Sequence, residues 1–338
     1  MHYLVTGHTG FKGSWLVLLL AQRGHTVSGL ALDPVSGGLF ERADVASLLR
    51  DDERIDIRDA TATAEAIARI QPDVVMHLAA QPIVRESYRH PRATFETNVM
   101  GTLNVIEAVQ NAGSVRAQVV VTTDKVYRNV DQHQGYVETD PLGGDDPYSS
   151  SKAMADLLTQ SWVRSFPGVP TAIARAGNVI GGGDVSTDRL LPDLLASFGA
   201  GTEPVLRYPH AVRPWQHVLD CLNGYLTLVD ALLEGNGAGE WNFGPGTESF
   251  VEVGAVADLV AELWGDGARW RLDDAAHPHE ANLLALDASK AQDQLGWRNH
   301  LSFRDSVEWT VAWQRSLRAG EPARDITVAQ IAEFEQAR

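Results

Sequence analysis

Tyr148 and Lys152 are separated by three serines in the run Tyr148-Ser149-Ser150-Ser151-Lys152. On a helix, residues four apart share a face, so the ammonium can lie beside the phenol, lower its pKa and make it a base at neutral pH. A plain amphipathic helix contains the same pair often enough that spacing alone decides little. The weight comes from a second cluster. Thr122-Thr123-Asp124-Lys125 closes an apolar run and sets hydroxyls, a carboxylate and an amine where a strand stops.

A third group reads as a phosphate cradle. Gly7-His8-Thr9-Gly10-Phe11-Lys12-Gly13 follows a short apolar strand and opens a helix. A helix N-terminus offers unpaired N–H groups and a partial positive charge, and glycines let a pyrophosphate approach that backbone closely. The spacing is G-x-x-G-x-x-G rather than G-x-G-x-x-G, so the strand before and the helix after carry the inference of dinucleotide binding. Asp33 lies twenty residues beyond Gly13, where a carboxylate accepts from a ribose 2′-OH and repels a 2′-phosphate. NAD is therefore favoured over NADP, with a turn cap before Pro34 as the plain alternative. Asp56-Ile57, expected on a short third strand, would accept from the adenine amino group and pack on the ring. Leu78-Ala79-Ala80-Gln81 ends the fourth strand with small residues, letting the dinucleotide lie across the sheet edge.

The elements that must position these groups alternate. Tyr3–Thr6, Thr26–Leu32, Asp73–Leu78, Gln118–Thr122 and Thr171–Ala176 read as strands; Phe11–Arg23, Glu65–Ile70, Asn98–Asn111 and Ser150–Ser165 read as helices. Apolar runs without alternation, separated by helical patterns, predict a parallel sheet covered on both faces, a Rossmann-type doubly wound α/β fold. Beyond Gly177 the texture changes. Gly181-Gly182-Gly183, prolines and clustered Arg and His replace the alternation, while Val251–Trp264 and Phe303–Leu317 read as helices packed on something else. The expected division is an NAD-binding domain at 1–176, with later sheet strands returning from about 211–245, and a smaller mixed α/β domain for substrate at 177–210 and 246–338.

Composition bounds the partners. With 338 residues, 44% hydrophobic and 21% charged, the chain is expected to fold as a soluble protein. Its formal net charge of −16 disfavours nucleic acid and anionic membrane surfaces, so an anionic small substrate must meet a local cluster of cations. Single Cys221 forms no internal disulfide, which fits a reducing cytoplasm. The most apolar early stretch, Trp15 to Ala21, falls short of the roughly 20 residues of a membrane span. Histidines lack acidic partners at ligand spacing, so no metal is expected.

Taken together, the cradle, Thr123, Tyr148 and Lys152 resemble the extended short-chain dehydrogenase/reductase family. The likeness runs over nearly the whole chain: Gly7 to Leu16, Thr123-Asp124-Lys125-Val126-Tyr127, Asp146-Pro147-Tyr148-Ser149-Ser150-Ser151-Lys152, Arg175 to Asp184, Pro209 to His217, and Trp241-Asn242-Phe243-Gly244-Pro245. Within the family it is similar to the nucleotide-sugar 4,6-dehydratases. That resemblance implies oxidation at sugar C4, elimination of water across C5 and C6, and hydride return to C6 with NAD. It further implies that Tyr148 is the base at the 4-OH, oriented by Thr123 and made acidic by Lys152, and that Asn98 and Thr122 join the cofactor contacts.

Elimination needs a second acid and base, for which Asp124 and Lys125 are the expected pair. Related dTDP-glucose enzymes carry Asp-Glu at this place and the CDP-glucose enzymes Asp-Lys, so the pair implies CDP-glucose. A lysine accepts a proton only when neutral, so the two are expected to titrate as a unit, Lys125 taking the C5 proton and Asp124 protonating the leaving hydroxyl. Both reach the sugar only if the chain turns just past the strand end. A salt bridge at a strand terminus is the plain alternative. Arg189, Arg213 and Asn178 match family positions at the substrate diphosphate. His210, His217, His277 and His279 either contact the nucleotide or satisfy core hydrogen bonds. The family also implies a homodimer or homotetramer through paired helices. The alternatives are a 4,6-dehydratase or 4-epimerase for another nucleotide sugar, and a non-catalytic nucleotide-sugar binding protein.

Overall fold

The computed structural model describes residues 1–132, 134–273 and 284–338. Strands are β1 (His2–Thr6), β2 (Thr26–Ala31), β3 (Asp52–Arg54), β4 (Val74–His77), β5 (Ala117–Val121), β6 (Thr171–Ala176), β7 (Asn178–Ile180), β8 (Val205–Leu206), β9 (Val212–His217), β10 (Gly239–Phe243), β11 (Phe250–Glu252) and β12 (Arg271–Leu272). Helices are α1 (Phe11–Gln22), α2 (Leu39–Arg42), α3 (Ala60–Ile70), α4 (Val84–Arg89), α5 (Pro91–Phe95), α6 (Gly101–Ala112), α7 (Pro147–Ser165), α8 (Leu190–Gly199), α9 (Val218–Leu233), α10 (Val253–Trp264), α11 (Ser289–Leu295), α12 (Phe303–Arg318) and α13 (Ala323–Ala337). A π-helical turn, Glu96–Met100, leads into α6, and a 3-10 turn, Asp124–Val126, follows β5.

Seven strands form one sheet in the order β10-β6-β5-β4-β1-β2-β3, every neighbouring pair parallel. This is the doubly wound α/β fold the apolar runs predict. Successive residues of β1 serve opposite faces: Leu4 joins a cluster with Ala66 and Ile67 of α3 and Val105 and Val109 of α6. Tyr3 and Val5 join the larger cluster with Leu16 and Leu19 of α1 and Leu222 and Leu226 of α9. With both faces covered, the strands hold no room for polar alternation.

Three expectations are corrected. Asp56 and Ile57 lie beyond the third strand, because β3 is the polar run Asp52–Arg54 on the sheet edge, where one side needs no apolar cover. Of the stretch expected to return to the large sheet, β10 does so, but β9 is the middle strand of a second sheet, β11-β9-β7. It runs straight into α9, which covers β5 and β6, so β10 is the strand delivered to the edge. Helix α7 starts at Pro147 rather than Ser150: Pro suits the first helical position, and Asp146 caps it by accepting from Ser149 N at 2.9 Å. Tyr148 therefore sits in the first turn.

The triple glycine is a packing device. A Cβ on Gly182 would lie 2.0 Å from Trp313 Cγ, and one on Gly183, at φ +78°, 2.8 Å from Leu39 Cβ. Trp15 Nε1 donates to Gly182 O at 2.9 Å, tying α1 to this crossing segment. Among the described residues no helix is long and apolar enough to cross a membrane.

Between the sheet and α7 sits a fully buried ion pair. Arg175 of β6 donates through Nε and Nη2 to the two oxygens of Asp156 on α7, at 2.8 and 2.7 Å. Asp156→Ala would strand a buried guanidinium, so we expect a loss of about 3–5 kcal/mol in urea unfolding. A variant as stable as its parent would remove the pair from its anchoring role.

Candidate active site

The cradle is built as its glycines require. Gly7 takes φ +75° and donates to Leu30 O at 2.9 Å, and a Cβ there would lie 2.8 Å from Ala79 N. At Gly13 a Cβ would lie 2.2 Å from Gly7 O. Both are glycine because the protein's own backbone passes there. Gly10 is different: its φ of −80° suits any residue, its position is exposed, and the nearest protein atom to a Cβ is 3.4 Å away. It heads α1, whose N-terminus has no side-chain cap. An exposed glycine heading a helix without a side-chain cap, next to two glycines fixed by packing, fits the diphosphate of a dinucleotide.

Around the cradle the expected cofactor residues take distinct places. Phe11 is half-buried near Gly181. Lys12 turns inward, donating to Tyr225 OH at 3.4 Å and reaching Cys221 Sγ at 3.9 Å. Asp33, just past β2, has a side chain 91% exposed, with Arg54 Nε at 3.7 Å. Asp56 accepts from Arg58 Nε at 2.9 and 3.0 Å, and the Arg58 hydrogen bond holds its carboxyl below the usual range. Ile57 is buried against Gly101, in the apolar cluster under the sheet. Leu78 and Ala79 hang on Thr6 through backbone N–H bonds of 3.1 and 3.2 Å. Ala80 follows, and Gln81 is clamped by Asn98, whose Oδ1 accepts from Gln81 N at 2.8 Å.

Beyond β5 the backbone turns as the chemistry demands. Thr123 heads the 3-10 turn Asp124–Val126, its Oγ1 accepting from Lys125 N at 3.4 Å and donating to Asp124 Oδ1 at 2.8 Å. Asp124 is buried, and Lys125 Nζ, partly exposed, lies 3.7 Å from its Oδ1. Consecutive residues on a turn rather than a strand can serve one cleft. Thr122 Oγ1 donates to Asp156 Oδ2 at 3.1 Å, so its side chain anchors the strand end.

Tyr148 is buried, and burial pushes its phenol up to about 12; the hydrogen bond with Thr123 and the charge of Arg189 pull it down, while Asp124 and Asp146 push it up. Lys152 shares the helix face but donates to Val121 O at 2.8 Å. Burial pushes its ammonium down to about 8, Asp156 opposing and Lys12 adding.

The second sheet closes on this turn. Gly177, between β6 and β7, brings its Cβ position within 3.2 Å of Asp124 Oδ2 and 3.5 Å of Pro214 Cγ. Asn178 is half-buried and registers with Trp215. Arg189 precedes α8, close enough to act on Tyr148. Arg213, half-buried on β9, donates to Val212 O at 2.8 Å. His210 stays at the surface with Glu252 at 3.3 Å. His217 is fully buried and caps α9, accepting from Leu219 N at 3.3 Å, which is the core reading. His277 and His279 lie outside the described residues.

Sequence reasoning missed Asp156, Arg175, Ser87 and His77. Ser87 Oγ accepts from Tyr148 N at 3.1 Å, and His77 bonds Thr6 and Thr102. A charged residue within an apolar strand, as Arg175 is, was the available sign of a buried pair.

Fold and site together define a short-chain dehydrogenase/reductase of the extended type. A family model described as GDP-mannose 4,6 dehydratase matches residues 4–310, and the chain belongs to that family. It is 44% identical to a CDP-glucose 4,6-dehydratase of Salmonella typhimurium, over 98% of this chain and 95% of the relative. It is 30% identical to a dTDP-glucose 4,6-dehydratase of Escherichia coli, over 94% and 93%. Among solved structures, DesIV, a dTDP-glucose 4,6-dehydratase from Streptomyces venezuelae with NAD and TYD bound, superposes with a TM-score of 0.82 at 28% identity, covering 95% of this chain and 98% of that one.

The buried ammonium gives a pH signature. Lys152 titrates near 8 when folded against 10.5 unfolded, so between those values the folded protein binds fewer protons and rising pH stabilises it. Below pH 8 the charge carries its full burial cost. Lys152→Met removes that cost, so its stability relative to the parent should be most favourable near pH 7 and fall towards pH 10 in urea titrations. A pH-independent difference would contradict the shift.

Proposed function

We propose that the chain dehydrates CDP-glucose to CDP-4-keto-6-deoxyglucose, with NAD held in the cradle from Gly7 to Gly13. The carrying observation is the 3-10 turn whose Thr123 and Asp124 act on Tyr148 and whose Lys125 lies 3.7 Å from Asp124; it supports a second acid–base pair, which a plain epimerase does not need. When bound, NAD supplies a hydride acceptor for C4 that also serves C6. Tyr148 takes the 4-OH proton. Its phenol, pushed up by burial, needs positive charge and the Thr123 hydrogen bond to do so near neutral pH.

Once C4 is a ketone, the C5 proton is acidified and Lys125 removes it. Asp124, buried and hydrogen-bonded to Thr123, protonates the departing 6-OH. Asn178, Arg189 and Arg213 meet the diphosphate, answering the repulsion of an acidic chain. Asp33 accepts from the adenosine ribose. Residues 1–176 then serve the cofactor and the later segments the sugar nucleotide. The choice of CDP-glucose rests on the Asp124-Lys125 pair and on the 44% identical relative.

A homodimer is part of this reading. Met154 and Leu157 of α7, with Met100 before α6, are about half exposed on the two helices the family pairs. Leu157→Asp with Met154→Asp should sediment as a monomer where the parent sediments as a dimer; equal sedimentation would place the contact elsewhere. A cytoplasmic setting completes the reading.

The decisive experiment gives the protein NAD and, side by side, CDP-, dTDP-, UDP- and GDP-glucose, following product mass. CDP-glucose should lose one water and turn over fastest. Unchanged mass with a changed C4 configuration would make the protein an epimerase, and no change at all a binding protein. Lys125→Ala should lose the exchange of solvent deuterium into C5, about 10²-fold or more. Parental exchange in that variant would assign the base elsewhere.

A further inference from the structure

A chain of buried hydrogen bonds runs between the cradle and the catalytic helix. Ala79 N donates to Thr6 Oγ1 at 3.2 Å, and Thr6 Oγ1 lies 2.8 Å from His77 Nδ1. His77 Nε2 lies 3.0 Å from Thr102 Oγ1, which donates to Asn98 O at 2.7 Å. Thr6, His77, Thr102 and Asn98 are all buried. Asn98 then donates to Ser151 Oγ at 2.8 Å, and Ser151 donates to Tyr148 O at 2.7 Å.

Proton counting fixes the imidazole. A hydroxyl has one proton, and Thr102 directs its own to Asn98 O, so towards Nε2 it is an acceptor. Nε2 must carry the ring proton. Nδ1 is then the acceptor for the Thr6 hydroxyl, which in turn accepts from Ala79. Every link has one donor and one acceptor, and the alternative tautomer would set two lone pairs face to face at Thr102.

We infer that His77, held as the neutral Nε2–H tautomer, is a positioning residue that sets the spacing between the Gly7–Gly13 cradle and the Tyr148–Lys152 helix. One end of the chain is Thr6, the residue before Gly7. The other is Asn98, which grips both the Gln81 loop and, through Ser151, helix α7. Burial, with Lys152 nearby, pushes the ring down to about 3, so it adds no second charge beside that ammonium at working pH. The role rests on the reading of these two segments as cofactor cradle and catalytic helix; the tautomer does not.

The first test is therefore spectroscopic. In the full chain labelled with 15N-histidine, long-range proton–nitrogen correlations, assigned by the signal missing from His77→Gln, should show His77 as Nε2–H and unchanged between about pH 8 and 5.5. An Nδ1–H ring, or one that titrates in that window, overturns the inference. The second test is kinetic. His77→Phe and Thr102→Val, folded by circular dichroism, should each lower kcat roughly 10- to 100-fold with the sugar-nucleotide KM within about 3-fold. The double variant should be no worse than the poorer single one, and His77→Gln, which keeps a donor and an acceptor, should recover part of kcat. Folded variants with parental kcat, or losses that multiply in the double variant, also overturn it. Should the variants not fold, the imidazole spectrum of the parent decides.

Discussion

The site depends on one buried carboxylate. Asp156 grips Arg175 with both oxygens and accepts from Thr122 and Gln160. Arg175 also donates through Nη1 to Tyr127 OH at 2.8 Å, and Tyr127 donates to Asn242 Oδ1 at 2.8 Å. Thr122 precedes the catalytic turn and Tyr127 follows it. A single ion pair thus pins both ends of the segment carrying Thr123, Asp124 and Lys125, and ties it to α7, β6 and β10. In a dry interior such a pair costs desolvation and is retained where geometry matters more than net stability.

That geometry sets the electrostatics. Burial alone would keep Tyr148 protonated and push Lys152 towards neutrality, each the opposite of what proton abstraction needs. Thr123 and Arg189 work against burial at the phenol, while Asp156 works against it at the ammonium. The chain carries a net charge of −16, while Lys152 is buried and Lys12, Lys125 and Arg189 are half-buried.

Much of this was legible. Continuous apolar runs identify β1, β4, β5 and β6 because a strand buried on both faces has nothing polar to show. Spacing put Tyr148 and Lys152 on one helix face, because i and i+4 coincide on any helix. β3 was misplaced since Asp52-Glu53-Arg54 carries no apolar signature on a sheet edge. Ile57 read as a ring contact but packs beneath Gly101, since apolarity does not say which surface an apolar group meets. Asp156, Arg175 and His77 escaped because each is defined by a partner on another element, between 19 and 71 residues away in the hydrogen bonds that matter.

The junction between the two sheets brings the later half of the chain against the turn after β5. β6 belongs to the seven-stranded sheet and β7 to the three-stranded one, with Gly177 alone between them. A Cβ there would lie 3.2 Å from Asp124 Oδ2, so the crossing passes directly beside that buried carboxylate. A larger residue would push on Asp124 or on Pro214 and open the distance between Asp124 and the arginine-bearing strand. The seven-stranded sheet is therefore joined to the three-stranded one at a glycine whose Cβ position lies beside Asp124. Any displacement of the second sheet has a backbone path of one residue to the turn that carries Asp124.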